Sequence, residues 1–194
     1  MPVIKHTEVI DTLCFNGTGA LTATIKNTAA EDLGNGRVRF QTAAAHGFLA
    51  TEAVPIQMEI EGTTNYEGVR QVVNISEADK FDIIAPYVAE TPAGTETIKF
   101  NIFPAQPYAF RGIELEMDTA PTTAGDLTID VDNVKGATWD HNYRTKGMVG
   151  ITDWDWMVKR DERKTRKLGT RMRIAYANAD GRALSIIVEY EILS

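Results

Sequence analysis

The sequence predicts an all-β protein, a β-sandwich of jelly-roll type with a small β-barrel module inserted near its N-terminus. Three observations predict it. Short runs of alternating or β-branched residues recur along the chain, and sustained helical periodicity is almost missing. Turn-forming text separates the runs: Asn16-Gly17, Gly34-Asn35-Gly36, Ala93-Gly94 and Asp180-Gly181. The composition, 194 residues with 43% hydrophobic and 24% charged, is that of an ordinary globular chain and excludes collagen-like, disordered and disulfide-stapled classes.

Taken in order, the runs predict strands at residues 3–15, 21–26, 36–42, 54–61, 68–75, 80–85, 95–103, 110–117, 126–131, 150–158, 171–177 and 184–193, with one short helical turn elsewhere. The first seven are short β-branched or alternating runs separated by turn residues. In the eighth, Ile113, Leu115 and Met117 can face a core while Glu114 and Glu116 face water. The ninth repeats the pattern with Leu127, Ile129 and Val131 against Thr128 and Asp130. In the tenth, Trp154 and Trp156 share one face and Asp153 and Asp155 the other. Residues 104–108, Pro-Ala-Gln-Pro-Tyr, resist pairing because proline lacks the amide donor, and the text becomes richer in acids and aromatics beyond them. The expected organisation is a barrel-like module over residues 22–103 and a sandwich over 104–194. Residues 1–21 supply a strand to the sandwich, since 91 residues alone leave it short of strands.

Two stretches of text resemble proteins of tailed-bacteriophage particles. Ala45-His46-Gly47-Phe48, Gly62-Thr63-Thr64-Asn65-Tyr66-Glu67-Gly68 and Ala78-Asp79-Lys80-Phe81-Asp82-Ile83 resemble a small β-barrel repeat of virion proteins. The resemblance implies that His46 and Gly47 open a turn, Tyr66 and Gly68 form a hairpin, and Phe81 and Ile83 pack inward. Where that repeat usually has a Gly-Asp turn, this chain has Leu49-Ala50-Thr51-Glu52-Ala53. Residues 113–117, 119–129, Trp154-Asp155-Trp156 and 173–182 are similar to the β-sandwich of small phage structural proteins. Such relatives are non-enzymatic tail, neck or capsid-surface parts. The resemblance therefore implies a virion location, synthesis in the host bacterial cytoplasm, and other virion proteins as partners.

Charge adds a contact surface. The net charge is -7, yet Lys159, Arg160, Arg163, Lys164, Arg166, Lys167, Arg171 and Arg173 stand in one segment with only Asp161 and Glu162. That segment carries +6, so the rest of the chain, with 25 acids and 12 bases, carries -13. A solvated loop, a DNA-contacting arm and a patch docking on an acidic neighbour are the three readings. The segment lacks interleaved aromatics and the body repels a polyanion, so nucleic acid is disfavoured. Contact between copies is favoured, and a head-to-tail contact of this kind generates a homo-oligomer.

Signs of catalysis are weak. His6, His46 and His141 have no metal-ligand spacing, and Asp140 and His141, as strand neighbours, point to opposite faces. Cys14, the single cysteine, excludes an internal disulfide and reads as a small buried hydrophobe in a reducing compartment. Gly17-Thr18-Gly19 is too short for a phosphate loop. Asp126, Asp130 and Asp132 lack the glycine and terminal glutamate of a calcium loop and read as the wet face of a strand. No catalytic, cofactor or metal residue is expected. No run approaches the roughly 20 apolar residues of a bilayer span, and the opening residues lack the apolar core of a signal peptide, so no membrane contact is expected. Trp154 and Trp156 read as a core or inter-sheet pair. Their alternative, an exposed ligand platform, makes a carbohydrate- or receptor-binding module the competing function.

Overall fold

Alternation along the first strand, β1 (Val9–Gly17), sends Leu13 and Phe15 into the core and Thr12, Cys14 and Asn16 outward. In this computed structural model, which describes residues 9–51, 53, 55–102, 106–132, 139 and 141–193, β1 pairs along its whole length with the last strand, β16 (Leu184–Ile192). β16 pairs in turn with β10 (Tyr108–Met117), whose other edge takes β13 (Asp153–Met157) and the two-residue β14 (Thr165–Arg166). The facing sheet has the order β12 (His141–Gly147), β11 (Asp126–Asp132), β15 (Arg171–Ala175), β9 (Asn101–Ile102). Between the two sheets lie Ile113, Leu115, Ile186 and Val188 from one side and Leu127, Ile129, Met172 and Ile174 from the other, all buried. If the sandwich strands other than β14 are counted along the chain, the sheets read 1-8-3-6 and 5-4-7-2. That is the order of a jelly roll.

Between its first and second strands the sandwich carries a seven-stranded antiparallel sheet. Its order is β2 (Thr22–Thr24), β8 (Thr97–Lys99), β5 (Ile56–Glu61), β6 (Gly68–Glu77), β7 (Lys80–Ile84), β4 (Arg37–Gln41), β3 (Glu31–Gly34). Val38, Phe40, Ile56, Met58, Ile60, Val72, Phe81, Ile83 and Ile98 form its core. The expected barrel is not closed. The sheet curls until Ile25 and Thr42 form a single bridge between its ends, but the edge of β4 is already occupied by β3. Only the residue beyond β4 is left to meet β2's end.

Phe15 joins the two cores, lying 5.9 Å from Phe48 and 5.6 Å from Phe100 between ring centroids. Beside it, the His46-Gly47-Phe48 turn docks on the end of β1: the Thr18 amide donates to the Gly47 carbonyl at 2.7 Å and the Leu49 amide to Asn16 at 2.8 Å. The turn expected at His46 and Gly47, the hairpin closed by Tyr66 and Gly68, and inward Phe81 and Ile83 are all present.

Several strands differ from expectation for identifiable reasons. The run 95–103 is divided at Phe100, β8 serving the seven-stranded sheet and β9 the sandwich. The edge strands β12 and β14 were not expected because His-Asn-Tyr-Arg-Thr-Lys-Gly and Thr-Arg have no apolar alternation; backbone pairing with β11 and β10 holds them. The short helical turn is a 3-10 segment at Arg160–Glu162. Cys14 is half-buried on the outward face of β1 rather than in the core, because its neighbours Leu13 and Phe15 take the inward positions. The proline boundary at residue 104 lies outside the described residues.

Two turns that stand out in the sequence meet in space. Asp180 accepts the amides of Thr122 (2.6 Å) and Thr123 (3.0 Å) and both threonine hydroxyls, while buried Asn178 binds the Thr18 carbonyl (2.9 Å) and the backbone of Arg182. These bonds, led by the Thr123 hydroxyl, hold the Asp180 carboxyl well below the usual carboxylate range. A depressed folded-state value contributes stability above the ordinary aspartate value of about 4 that is lost as the pH falls through it toward the folded value. Asp180→Asn is therefore expected to lower the melting temperature at pH 6, with the gap to the parent narrower but still open at pH 3, where the folded-state carboxyl remains ionised. Circular dichroism melts at the two pH values check this.

Candidate functional site

The basic segment separates into two populations. Lys159, Arg160, Lys164 and Lys167 are exposed. The other four are engaged by the fold. Arg163 donates through Nε to the Val158 carbonyl at 3.2 Å and lies 3.7 Å from Glu191; buried Arg166 covers the Tyr143 ring at 5.2 Å. Arg171 and Arg173 alternate with buried Met172 and Ile174 on β15 and reach the acids directly across on β11. Arg173 meets Asp130 at 2.8 Å and Arg171 meets Asp132 at 3.3 Å, with Trp139 stacked over both guanidinium groups at 4.8 and 5.4 Å. Asp130 and Asp132 are thus buried pair partners and not a wet face. Burial pushes the Asp130 carboxyl up, but Arg173 and Asn142 outweigh it and hold the value low.

Arg171 also bridges the inserted sheet to the sandwich. Its guanidinium donates to Glu61 at 2.8 Å and lies 3.8 Å from Glu59, both on β5, while Lys99 bonds the other oxygen of Glu61 and Asn101 donates to Glu59 at 2.5 Å. Glu59 is 2% exposed, and burial raises its carboxyl above the ordinary range despite Asn101 and Arg171. For Glu61 burial also acts upward, but Lys99 and Arg171 prevail and lower it.

The outer face of the β1-β16-β10-β13 sheet carries the opposite charge. Register places Glu114 directly opposite Asp155 and Glu116 directly opposite Asp153, with Glu189 on the adjoining strand. Like charges at directly opposed positions destabilise a sheet by a few tenths of a kcal/mol each. Among the described residues no cation lies within salt-bridge distance of Glu114, Glu116, Asp153 or Asp155. Sequence reading placed these acids on a solvated face but missed that they oppose one another, because register is not visible in the separate strands.

At the end of this face a cleft of about 740 Å³ opens between the sandwich and the 49–51 loop. Leu49, Ala50, Met117 and Leu184 give it apolar walls, and Glu116 and Asp118 stand at its rim. Leu49 keeps half its surface exposed there. The sequence showed this segment only as a departure from the usual Gly-Asp text of the resembling repeat and gave no sign of a cleft.

The tryptophan pair is packed. Trp154 and Trp156 are half-buried on β13, and Trp156 contacts Phe110 at 5.8 Å and Tyr143 at 5.5 Å with Arg144 over its ring. The inter-sheet position expected for them is the one found. His46 is buried: Nδ1 accepts the Phe48 amide at 2.9 Å, Nε2 donates to the Lys80 carbonyl at 3.2 Å, and burial lowers its titration. Both ring nitrogens are therefore engaged by backbone. His141 is exposed on the β12 edge; His6 and Asp140 lie outside the described residues. Among the described residues no group of three or more His, Cys, Asp or Glu is placed to hold a metal ion, and no helix is long and apolar enough to cross a membrane. The chain matches no protein-family model, no curated protein and no solved structure.

Proposed function

We propose that the chain is a non-enzymatic structural component of a tailed-bacteriophage virion, present in several copies as a tail or neck accessory protein. The observation that carries this reading is the segregation of charge. Acids with no cation in salt-bridge reach among the described residues oppose one another on one sheet face, while exposed Lys159, Arg160, Lys164 and Lys167 collect on the β13–β15 connection. An arrangement that weakens the isolated fold is relieved when a cationic neighbour covers it. The phage context rests on the text around His46, Tyr66 and Phe81 and on the sandwich motifs. The jelly roll suits that context without deciding it, because one fold hosts many functions. The packed tryptophans weigh against a sugar platform.

The test is immunogold labelling of purified particles of the phage that encodes the chain. Gold at the tail or neck supports the reading, and gold spread over the head surface favours a decoration protein. Particles without label, or release of sugars from cell-wall material by the purified chain, would overturn it.

A further inference from the structure

Beyond Arg166, the basic segment ends in a rigid tip. The Thr170 amide donates to the Lys167 carbonyl at 3.0 Å, and Gly169 has a φ of +86°, the signature of a type II turn with glycine at its third position. The turn displays Leu168 at its second position. Leu168 is 66% exposed, more than any other large hydrophobic residue of the described chain, and exposed Lys164 and Lys167 precede it. An apolar side chain held out on an ordered turn, with exposed cations just before it in the chain, is a preformed knob.

The cleft described above has the complementary character. Its walls are Leu49, Met117 and Leu184, and its rim is Glu116 and Asp118, with Asp153 across from Glu116. Within one molecule the two cannot meet. β14 pairs with β10 at Tyr108 and Ala109, whereas Glu116 and Met117 lie at the other end of the same strand. Seven residues at about 3.3 Å each separate them by roughly 23 Å.

We infer that the Leu168 tip of one copy seats in the Leu49–Met117–Leu184 cleft of a second copy, with Lys164 and Lys167 placed against Glu116, Asp118 and Asp153. This rests on the multi-copy assembly proposed above and supplies its contact. Because tip and cleft occupy opposite ends of one sheet, the contact is head-to-tail. Such contacts propagate into a ring where the rotation closes and into a stack where it does not.

Sedimentation velocity of the full chain at low and at physiological ionic strength tests it. The parent protein is expected to self-associate, more strongly at low salt, since rim charges are screened within about 10 Å at 0.1 M salt. Leu168→Asp places a carboxylate in the apolar cleft and should weaken association by about a hundredfold. Lys167→Glu and Glu116→Lys should each weaken it by about tenfold, and a chain carrying both, which restores opposite charges across the contact, should recover it. All three residues are exposed, and a melting temperature no lower than the parent's verifies the fold. A monomer under every condition, or association undiminished by Leu168→Asp, overturns the contact. Labelling on particles is read independently, so failure of the contact with gold still at the tail leaves the virion reading standing.

Discussion

Gly47→Ala is expected to destabilise the protein by about 4 kcal/mol, lowering its melting temperature by about 10 °C. Two effects combine. Gly47 has a φ of +69°, a conformation that costs an alanine about 1 kcal/mol. More important, a Cβ there would lie 2.3 Å from the Gly19 amide nitrogen and 2.6 Å from the Gly19 Cα, both backbone atoms that cannot move aside alone. Separating them breaks the Thr18–Gly47 hydrogen bond and lifts Phe48 from Phe15, so the inserted sheet loses its docking point on β1. Gly36→Ala is the control. Its φ of +71° is almost the same, but a Cβ there meets nothing within 4 Å. It should lose only about 1 kcal/mol. Gly19→Ala, whose Cβ would stand 2.1 Å from the His46 carbonyl oxygen, should resemble Gly47→Ala and not Gly36→Ala. Thermal denaturation of the three variants checks this, and similar losses for Gly36→Ala and Gly47→Ala would rule out the close approach as the cause.

That contact also marks where sequence reasoning stops. The alternations Ile113-Leu115-Met117 and Leu127-Ile129-Val131 announced strands because each strand has one wet and one dry face, and those strands form the sandwich. Gly17-Thr18-Gly19 and Gly47 are separate turn residues in the sequence, and only tertiary packing brings them within touching distance. The seven-residue β12 was invisible for a different reason. Of its side chains only Tyr143 and Lys146 are even partly buried, so the strand is held by backbone bonds that leave no apolar pattern. The charge run misled in an instructive way. Eight bases in fifteen residues look like one surface, yet the last two, Arg171 and Arg173, alternate with Met172 and Ile174 and so announce a strand. Asp130 and Asp132 alternate in the same manner on β11. The register Asp130 to Arg173 and Asp132 to Arg171 turns both sets into cross-strand pairs. Glu61, 110 positions from Arg171, could not be found from the sequence at all. The surface that remains, Lys159 to Lys167 with Leu168 at its tip, is smaller than the sequence suggested and better defined.

Arg171→Met is expected to cost about 3 kcal/mol at pH 7 while leaving the Leu168 tip and its self-association unaffected in the folded protein. Removing one partner of a buried pair leaves its acids uncompensated, a loss of about 3–5 kcal/mol, and the lower end applies because the Arg171 side chain is 20% exposed. Glu59 bears most of the effect, since only Asn101 then bonds its carboxylate in a buried site. Two further observations separate this cause from lost packing. Glu59→Gln in the Arg171→Met background should recover about 1 kcal/mol, because the amide occupies the same space without charge. The pH dependence has a definite sign. In the parent the lowered Glu61 contributes stability above the ordinary glutamate value of about 4.3 that disappears as the pH falls through its folded value. In Arg171→Met, Glu59, already raised by burial, and Glu61, no longer held by Arg171, take up protons at higher pH than in the parent. The stability gap between the two proteins should therefore narrow steadily from pH 7 to pH 5. Urea denaturation across that range measures the gap, and a difference that stays constant with pH would place the loss in packing over Trp139 instead of in the stranded carboxylates.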